Sequence, residues 1–312
     1  MKSGRWRRDQ AIRDSRRIRC AASCTSRLAW AGSETSLSSD QAGDVFIDEY
    51  DKMISSLRKT GDAFTLAKAR ADSYRGTRKI AVTSTPKRGR VDVEKCRRGS
   101  GLEFWKVAEP AKLESPTWLK WQQGTRHHFA WKCPHCAKWF IPRMRYLVTP
   151  PGATPVIARR LAYLRCPQSG CRIEEKFKAQ MNTGGIYVAP GQIIGPDGLL
   201  DGDPPDTSTL SLWASGLCSP FVTWGERVEE LMLAEESGDD EARQGAINKC
   251  GELFSDAPAH AIKAEHVKAK RLPYLLGEAP REVIRAAAGI DVQGDRLYAI
   301  KRGFGSRGRS WL

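Results

Sequence analysis

The sequence predicts an α/β protein in which part of a parallel sheet is followed by a metal-held insertion and by the start of a second sheet. Three observations support this fold class: two apolar strands separated by a helix-like segment, two closely spaced cysteine pairs, and a late apolar strand that carries an acid. Strand, helix and strand in this order are typical of parallel sheets. With 312 residues and 40% hydrophobic content, the chain is long enough to bury the cores of about two domains.

The formal net charge of +15 sets up a positive field around the protein, and such a field attracts polyanions. Phosphate backbones are a common polyanion, so nucleic acid is one partner that the charge indicates. A ribosome-associated protein, or simply a soluble protein with a basic surface, would carry the same charge. The charge therefore does not decide the function by itself.

Neither a membrane span nor a secretory signal is evident in the sequence. No run of about 18 apolar residues occurs, and the basic N-terminus is not followed by an apolar stretch. We therefore expect a cytoplasmic protein with no membrane partner. In that reducing compartment the nine cysteines are not expected to form disulfides, and their uneven spacing indicates metal binding for some and packing for the rest.

An arginine-rich segment precedes the first predicted unit of regular structure. Residues 1–26 contain arginines at no clear period, and we expect them to be poorly ordered. Residues 27–110 follow as the predicted C-terminal part of a nucleotide-binding sheet. Their predicted elements are a strand-like run at 28–30, an apolar strand at 44–49, a helix at 51–74 and a second apolar strand at 79–83.

The first apolar strand ends in Asp48 and Glu49 and has the form of a Walker B strand. At the end of a strand buried in a parallel sheet, Asp48 can hold the magnesium ion of a nucleotide and Glu49 can orient the attacking water. Ordinary strands also end in Asp-Glu, so the pattern alone is weak. No Gly-x-x-x-x-Gly-Lys-Ser/Thr segment occurs to hold the phosphates of ATP. Either the protein is not an ATPase, or the front end of the ATPase is absent.

The second apolar strand runs into Ser84, Thr85 and Pro86, which we expect at the same edge of the sheet. Hydroxyl groups there can sense a γ-phosphate, and Pro86 turns the chain sharply away from the strand. A simple strand-terminating turn explains the same three residues and, taken alone, is the better explanation.

The predicted insertion, residues 111–200, contains two short cysteine knuckles. Cys133 and Cys136 have two residues between them, and Cys166 and Cys171 have four. Four thiolates in two knuckles are typical of tetrahedral zinc sites, so we predict a zinc-ribbon-like insertion. Reduced core cysteines or a redox pair are the alternatives. Because all four ligands are thiolates, no coordination position remains open, and the zinc would be structural.

The other cysteines, and the histidine inside the first knuckle, give no such signal. We expect His135 to be a solvent-facing spacer. The cysteines expected to serve packing only are Cys20, Cys24, Cys96, Cys218 and Cys250.

Aromatic and basic side chains alternate around the first knuckle, from Trp118 to Arg143. Guanidinium and ammonium groups contact phosphates while aromatic rings stack or wedge, so the mixture suits DNA. It suits equally a small domain that packs its few large rings over a metal site. The basic residues predicted to contact DNA are Arg126, Lys132, Lys138 and Arg143.

The last third of the chain is predicted to contain a linker, a helix and a further strand. In residues 201–280, Thr223 and Glu226 have the spacing of a capping box that starts a helix. Residues 281–312 contain an apolar strand with Asp291 in its middle. An acid there is costly to bury unless it is paired or binds metal, so Asp291 indicates the first carboxylate of an RNase H-like two-metal nuclease.

Taken in order, these segments resemble the lambda-like large terminase subunit of tailed phages. The resemblance extends over residues 27–312 and rests on the order and spacing of the motifs. The segments are Asp44-Val-Phe-Ile-Asp-Glu-Tyr-Asp-Lys52, Thr83-Ser-Thr-Pro86, the two cysteine knuckles, Ser219-Pro-Phe221 with Trp224, Asn248 with Gly251 and Glu252, and Gly289-Ile-Asp-Val-Gln-Gly294-Asp295.

This resemblance implies a motor with an N-terminal P-loop NTPase, which moves DNA into the procapsid, and a C-terminal RNase H-like nuclease, which cuts the concatemer. It implies that Asp48 coordinates magnesium, that Glu49 is the catalytic acid and that Asp291 is the first nuclease metal ligand. The coupling motif would be Ser84, Thr85 and Pro86.

The resemblance also implies cofactors and partners. The cofactors would be zinc at the cysteines, and magnesium with ATP at the ATPase edge. The partners would be double-stranded DNA, the small terminase subunit, the portal protein and further copies of the chain. Because this family carries a Walker A segment and further nuclease acids that are not found here, we expect a prophage-type fragment that is inactive alone. The alternative is a stand-alone zinc-ribbon DNA-binding protein.

Overall fold

The computed structural model of the protein describes residues 17–19, 25–29, 37, 41–53, 61–74, 76–96, 100–255, 278–292, 297–306 and 309–311. The chain forms two compact units, residues 1–256 and residues 257–312. The described helices are α1 (Ala63–Arg70), α2 (Pro116–Gln122), α3 (Pro155–Leu161), α4 (Lys178–Thr183), α5 (Trp224–Ser237) and α6 (Asp240–Asn248).

Short strands make up most of the remaining regular structure. In the first unit they are β1 (Arg17–Arg19), β2 (Thr25–Arg27), β3 (Asp44–Ile47), β4 (Lys79–Val82), β5 (Val93–Lys95), β6 (Glu103–Trp105), β7 (His127–Lys132), β8 (Trp139–Phe140), β9 (Leu147–Val148), β10 (Tyr163–Arg165), β11 (Arg172–Ile173), β12 (Ile186–Val188), β13 (Ile193–Ile194), β14 (Leu200–Asp201) and β15 (Leu212–Trp213). In the second unit they are β16 (Arg285–Val292), β17 (Leu297–Phe304) and β18 (Ser310–Trp311).

Strands β3 and β4 pair in parallel, as the sequence predicts, with Asp44 opposite Lys79 and Ile47 opposite Val82. Among the described residues the two strands form a sheet of their own, so the larger P-loop sheet remains a prediction. Ile47 is buried in a small core with Tyr50 and Ala67. This core holds α1 against the strand pair.

The helix between β3 and β4 is shorter than predicted. A 3-10 turn at Tyr50–Lys52 comes first, and α1 begins only at Ala63. The reason is local, because Gly61 has a φ of +126° and the Asp62 carboxylate accepts the Thr65 N–H at 2.8 Å as an N-cap. Ile54 and Leu57, predicted within the helix, lie outside the described residues.

The strand-like run predicted at 28–30 is not a strand where it is described. Strand β2 ends at Arg27 because it pairs only with β1, and this ladder stops where Arg27 meets Arg17. Leu28 and Ala29 are exposed and outside any strand, and Trp30 lies beyond the described residues. Most of the segment predicted to be poorly ordered, residues 1–26, also lies outside them.

Strand β7 is the centre of the largest described sheet. It pairs with β12 and β8 in antiparallel fashion and with β15 in parallel. Two tryptophan-rich cores lie around this sheet. The first contains Trp105, Trp118, Trp121 and Trp213, and the second contains Trp131, Trp224, Leu164, Ile173 and Cys133. Since Trp105 and Trp213 come from either side of residues 111–200, the predicted insertion shares its core with the segments that flank it.

Helix α5 begins at the capping box predicted from the sequence. The Glu226 N–H donates to Thr223 Oγ1 at 3.1 Å, and the Thr223 N–H donates back to the Glu226 carboxylate at 2.8 Å. Gly225 lets the helix approach α3, because a Cβ there would lie 2.0 Å from the carbonyl oxygen of Arg159. The Arg159 guanidinium then pairs with Glu226 at 3.2 Å and with Glu229 at 2.9 Å.

The second unit contains an antiparallel sheet in the order β16-β17-β18. Strand β16 includes Asp291, which lies opposite Tyr298 in the ladder with β17. The late strand predicted from the sequence therefore exists, and it forms one arm of a long hairpin. Within the described part of the chain, no helix has the length and apolar character needed to cross a bilayer.

Candidate functional site

The ends of β3 and β4 bring the predicted acids to the edge where the predicted coupling residues lie. The ladder continues beyond the strands, because the Thr83 N–H donates to Ile47 O at 2.9 Å and the Tyr50 N–H donates to Thr83 O at 3.3 Å. Asp48 and Glu49 form the loop between these two hydrogen bonds. The parallel pairing thus produces the shared edge that the sequence predicts.

Glu49 has a backbone conformation that side-chain-bearing residues rarely adopt. Its φ of 55° and ψ of 39° lie in the left-handed region, and its N–H donates to Asp48 Oδ1 at 3.0 Å. Both acids are exposed, and the Glu49 carboxylate pairs with Lys52 at 2.7 Å. Left-handed residues of this kind cost roughly 1 kcal/mol or more and concentrate at functional sites. The edge therefore presents two solvent-accessible carboxylates on a strained turn.

Ser84, the first residue of the predicted coupling motif, is hydrogen-bonded to the acid-bearing turn. Its Oγ accepts the backbone N–H of Asp51 at 3.0 Å, and its hydroxyl lies 3.1 Å from the carbonyl oxygen of Thr85. Pro86 is buried and Thr85 is exposed. In the predicted motif, Ser84 is therefore hydrogen-bonded to the turn that follows β3, and Thr85 is open to solvent.

The carboxylate of Asp51 is buried, with 1% of the residue exposed, and both of its oxygens accept hydrogen bonds. Oδ2 accepts the Lys87 N–H at 3.0 Å and the Ser115 hydroxyl, and Oδ1 accepts the Thr117 N–H at 2.7 Å. Ser115 is the N-cap of α2, where a negative charge is favourable. Asp51 therefore joins the acid-bearing turn, the residue after the coupling motif and the start of α2.

Asp51 was not singled out by the sequence analysis. Its side-chain partners lie 36 to 66 residues further along the chain, and no local spacing rule connects such positions. The only signal is its place in the segment of acids that follows β3, which it shares with two exposed carboxylates. Local patterns do not tell a buried acid from its exposed neighbours.

Helix α2 contacts the same turn a second time, through Lys120. Its Nζ lies 3.5 Å from the ring centroid of Phe64 and 5.6 Å from that of Tyr50. Burial lowers the pKa of Lys120, and the nearby Asp62 carboxylate opposes that shift. Asp62 also accepts the Tyr50 hydroxyl. Helix α2 is thus held against the acid-bearing turn at its start and again one turn later.

Each predicted cysteine knuckle lies at the end of a short antiparallel hairpin. Cys133 and Cys136 lie between β7 and β8, and Cys166 and Cys171 lie between β10 and β11. The second hairpin is extended by β9, which pairs with β10. Two hairpins that present their turns to one another are the arrangement that a ribbon-type metal site requires.

The two knuckles have the same turn geometry. In the first, the Ala137 N–H donates to Cys133 O at 3.0 Å and Ala137 has a φ of 58°. In the second, the Gly170 N–H donates to Cys166 O at 2.8 Å and Gly170 has a φ of 72°. The residue four positions after the first cysteine is left-handed in both, so the chain turns twice in the same way.

Three of the four knuckle sulfurs form a close group, and the fourth lies near one of them. Those of Cys133, Cys136 and Cys171 are within 4.8 Å of one another, and the sulfurs of Cys136 and Cys166 are 3.8 Å apart. A tetrahedral metal with bonds of about 2.3 Å places its sulfur ligands about 3.8 Å from each other. The cluster can therefore hold a metal ion. Among the described residues, no second group of three or more His, Cys, Asp or Glu side chains meets the same closeness.

The thiols of this cluster differ in acidity. Burial opposes ionisation of Cys136, but hydrogen bonds from the Lys138 backbone, Ser169 and the neighbouring thiols lower its pKa to about 7. Burial raises the pKa of Cys166 to about 12. A cluster with one readily ionised thiol and one buried thiol is the kind of donor set that a cation stabilises, because each metal ligand must be a thiolate.

Two of the four basic residues predicted to contact DNA are not on an open surface, and for Arg143 the prediction is wrong. Arg143 is 1% exposed, its guanidinium lies 3.7 Å from the ring centroid of Trp105, and its Nη2 donates to Glu103 O at 2.8 Å. Burial lowers the pKa of Arg143 to about 10. Arg126 is partly buried, donates to Trp105 O and lies 3.8 Å from Glu94. The tryptophan core has enclosed these cations.

The other two basic residues are more accessible. Lys138 is exposed beside the first knuckle, and Lys132 is half-buried, with its Nζ donating to Pro196 O at 3.2 Å. Whether they contact DNA remains a prediction. The aromatic residues of the segment from Trp118 to Arg143 belong mostly to the core, since Trp118, Trp121 and Trp131 are buried. The sequence left open whether these rings contact DNA or pack inside the domain, and in the structure these three pack inside it.

Asp291 belongs to the second unit and is described by its backbone position alone. It lies on β16, one residue before the end of that strand. Asp295, which follows it in the sequence, lies outside the described residues. No group of metal-binding side chains is found around β16 in the part of the second unit that is described.

Two family models match the chain. Residues 7–186 match the ATPase domain of the phage terminase large subunit gpA, and residues 209–312 match the endonuclease domain of the terminase large subunit gpA. The strand edge and the cysteine cluster lie within the first match, and β16 lies within the second. No curated protein and no solved structure matches the chain.

Proposed function

The chain belongs to the gpA family of phage terminase large subunits, and we propose that it works in the motor that packages viral DNA. The observation that carries the proposal is the shared edge of β3 and β4. There Asp48 and Glu49 follow one strand, Ser84 and Thr85 follow its parallel neighbour, and Asp51 joins the two turns. Such an edge is where open α/β sheets bind nucleotides.

At this edge we assign Asp48 to hold the magnesium ion that accompanies ATP and Glu49 to orient the attacking water. Magnesium, when bound there, would neutralise charge on the phosphates. Both carboxylates are exposed to solvent, with that of Glu49 paired to Lys52 at 2.7 Å. Ser84 and Thr85 are assigned as the coupling residues. The hydrogen bond from the backbone N–H of Asp51 to Ser84 Oγ fixes the position of Ser84 beside the two acids.

ATP hydrolysis by this chain alone is expected to be negligible. The 312 residues contain no Gly-x-x-x-x-Gly-Lys-Ser/Thr segment. Without the lysine and backbone amides of that loop, the γ-phosphate is neither positioned nor neutralised. Phosphate release that exceeds the background, and that Glu49→Gln abolishes, would contradict this part of the proposal.

The cysteine cluster is proposed to hold one structural zinc ion. Its four donors are Cys133, Cys136, Cys166 and Cys171, and the 3.8 Å between the sulfurs of Cys136 and Cys166 suits a tetrahedral ion. Four thiolates leave no position for water or substrate, so the ion would fix the two hairpins to one another and take no part in hydrolysis. In this role the site resembles a zinc ribbon.

Asp291 is assigned as the first metal ligand of the nuclease, and this chain is expected not to cut DNA. Two-metal cleavage needs several carboxylates around two cations about 4 Å apart. Asp291 lies near the end of β16 and Asp295 follows that strand in the sequence, and these two carboxylates alone are fewer than such a site needs. Residues 296–312 contain no Asp or Glu. Cleavage of supercoiled plasmid with manganese, lost in Asp291→Ala, would contradict this expectation.

We propose that the partners are those of a packaging motor in the host cytoplasm: double-stranded DNA, the small terminase subunit, the portal protein and further copies of the chain. A second candidate, a stand-alone zinc-ribbon DNA-binding protein, is favoured by the cysteine cluster and the charge of +15. It leaves the strand edge without a role, and the family match over residues 7–186 favours the motor.

Iron-directed cleavage tests the strand edge without requiring turnover. Iron(II) binds oxygen ligands that also suit magnesium, and with ascorbate and peroxide it cuts the backbone next to the residues that hold it. With ATP present, we expect cuts near Asp48 and near Ser84, and both should disappear in Asp48→Asn. Asp92→Asn changes an exposed acid on another segment and should leave both cuts. Cuts at neither position, or cuts that survive Asp48→Asn, would contradict the assignment.

A further inference from the structure

The hairpin of the second knuckle has one apolar face and one basic face. Leu164 lies opposite Ile173, and both side chains are fully buried in the core beneath the cysteine cluster. Because side chains alternate along a strand, the next pair points to the other side of the hairpin. That pair is Arg165 opposite Arg172, and both residues are exposed.

Two arginines directly opposite one another are unfavourable in an isolated hairpin. Facing side chains in an antiparallel pair have Cβ atoms about 5 Å apart, and like charges at that distance repel. Within the described residues, neither Arg165 nor Arg172 has a carboxylate at ion-pair distance. The neighbouring acid, Glu174, pairs with Lys176 at 2.5 Å, and that contact, followed by the more distant charge of Arg172, lowers the pKa of its carboxyl. The pair therefore concentrates positive charge that no described acid neutralises by direct contact.

The side chain of Arg172 is also held in a defined position. Its guanidinium lies 4.4 Å from the ring centroid of Tyr163, which is on the same strand as Arg165 and two residues before it. An arginine stacked in this way loses little conformational freedom when it binds, and the N–H groups at its edge stay available to an anion. Planar guanidinium groups match the oxygen atoms of a phosphate better than any other cationic side chain.

A further cation lies close to this hairpin in the sequence. Arg160 is exposed in the last turn of α3, three residues before β10 begins. The sulfurs of Cys136 and Cys166 lie 3.8 Å apart, so the two knuckles are close to one another.

We propose that the outer face of the β10–β11 hairpin binds the phosphate backbone of duplex DNA, with Arg165 and Arg172 donating to phosphate oxygens. This inference rests on the proposed function, which supplies DNA as the partner. It assigns the phosphate contacts to Arg165 and Arg172 in place of Arg126 and Arg143. A duplex is favoured over a single strand because this face of the hairpin offers, among the described residues, a single ring, Tyr163, one side of which Arg172 occupies. Single-stranded nucleic acid is bound on several rings that stack successive bases.

Fluorescence anisotropy with a labelled duplex tests this surface in the full chain. The variant Arg165→Glu/Arg172→Glu should bind about tenfold more weakly or worse at physiological salt. Its slope of log affinity against log salt should be smaller by about two, since each lost phosphate contact removes about 0.9 from the slope. The matched control is Lys106→Glu/Lys112→Glu, which lowers the net charge equally at two exposed positions elsewhere in the first unit.

The outcomes separate the hairpin from the wider proposal. Equal losses of affinity and slope in the two double variants would overturn the hairpin assignment, and so would tighter binding to single-stranded DNA or RNA than to the duplex. If the unsubstituted chain does not bind DNA at all, the proposed function fails with it. Arg165→Gln/Arg172→Gln, which removes the charges without reversing them, keeps the test valid if the first variant does not fold, and it should lose the same two contacts.

Discussion

The Oγ atom of Ser84 lies 3.0 Å from the backbone nitrogen of Asp51 and accepts its hydrogen, so the turns that follow two parallel strands are tied together. The Asp51 carboxylate extends this connection to Ser115 and Thr117 at the start of α2. A short distance after α2 the chain enters β7, which leads to the first cysteine knuckle. A shift of Ser84 would therefore be transmitted to the helix that precedes the two cysteine hairpins.

Asp51→Ala should lower the free energy of unfolding by about 3 kcal/mol. The substitution leaves the Ser115 hydroxyl and the N–H groups of Lys87 and Thr117 without their acceptor in a buried place, and each such loss costs roughly 1–3 kcal/mol. Urea denaturation measures the difference. Asp92→Ala, at an exposed acid, is the control and should change the value by less than about 0.5 kcal/mol. Similar effects in both variants would show that the Asp51 contacts do not form.

The cysteine cluster should bind one zinc ion per chain. Cys166→Ser should abolish stoichiometric zinc, because three thiolates and a hydroxyl are a poor donor set and Cys166, the first cysteine of the second knuckle, is buried. Cys96→Ser removes a cysteine outside the cluster and should retain the ion. Metal content of the purified proteins by mass spectrometry distinguishes the two. Equal zinc in both variants, or none in the unsubstituted chain, would refute the zinc assignment.

Stability should fall below about pH 6.5 because of His128. This residue is fully buried, its Nε2 accepts the Trp105 N–H at 3.1 Å, and its Nδ1 lies 2.8 Å from the carbonyl oxygen of Arg126. Burial, reinforced by the charge of Arg143, lowers the pKa of His128 well below 6.5. The unfolded chain then takes up a proton that the folded chain does not. The contribution of neutral His128 to the free energy of unfolding is fully present above the pKa that this residue has in the unfolded chain. Below that pKa the contribution declines by about 1.4 kcal/mol per pH unit, until the lowered pKa of the folded state is reached.

Comparing variants at pH 7.5 and pH 5.5 isolates this effect from other titrating groups. His128→Gln can keep both hydrogen bonds, and its stability should depend less steeply on pH than that of the unsubstituted chain. His135→Gln, at an exposed position, should retain the full dependence. The proton NMR signal of the His128 ring should also not shift across this range. A ring that titrates near pH 6.5 would contradict the account of this core.

Arg143→Met should destabilise the protein without changing its DNA binding. The substitution removes the cation–π contact with Trp105 and the hydrogen bond to Glu103, and we expect a loss of about 2–3 kcal/mol. The salt dependence of DNA affinity should be unchanged because the guanidinium is buried. Lys138→Met is the contrasting variant, with stability kept within about 0.5 kcal/mol. If Arg143→Met instead weakens DNA binding while stability is kept, the burial described here is wrong.

The features that the sequence predicted correctly depend on short-range patterns. The turn within each knuckle and the capping box at Thr223 follow from residues a few positions apart, and the parallel pairing of β3 with β4 follows from the order strand, helix, strand. The failures depend on long-range packing. Arg143 is enclosed by Trp105 and Trp213, which come from opposite sides of the cysteine segment, so nothing around it in the sequence marks it as buried.

The same limit explains what was missed at the two candidate sites. The partners of Asp51 are 36 to 66 residues away, and local spacing does not show them. The basic pair of the second hairpin required a strand register, because Arg165 and Arg172 lie on opposite flanks of a knuckle. A sequence shows how side chains alternate between the two faces of each strand. Which residues of the two strands lie opposite one another depends on the register of the hairpin, and that is known only from the structure.

The salt dependence of DNA binding tests the central claim most directly, namely that this chain binds double-stranded DNA through its phosphates and without sequence preference. Affinity for two duplexes of equal length and unrelated sequence would be measured by anisotropy between about 50 and 200 mM salt. We predict equal affinity for both and a fall of roughly a hundredfold across this range, as about four phosphate contacts would give. Affinity that stays flat with salt, or binding to only one of the two sequences, would contradict the account.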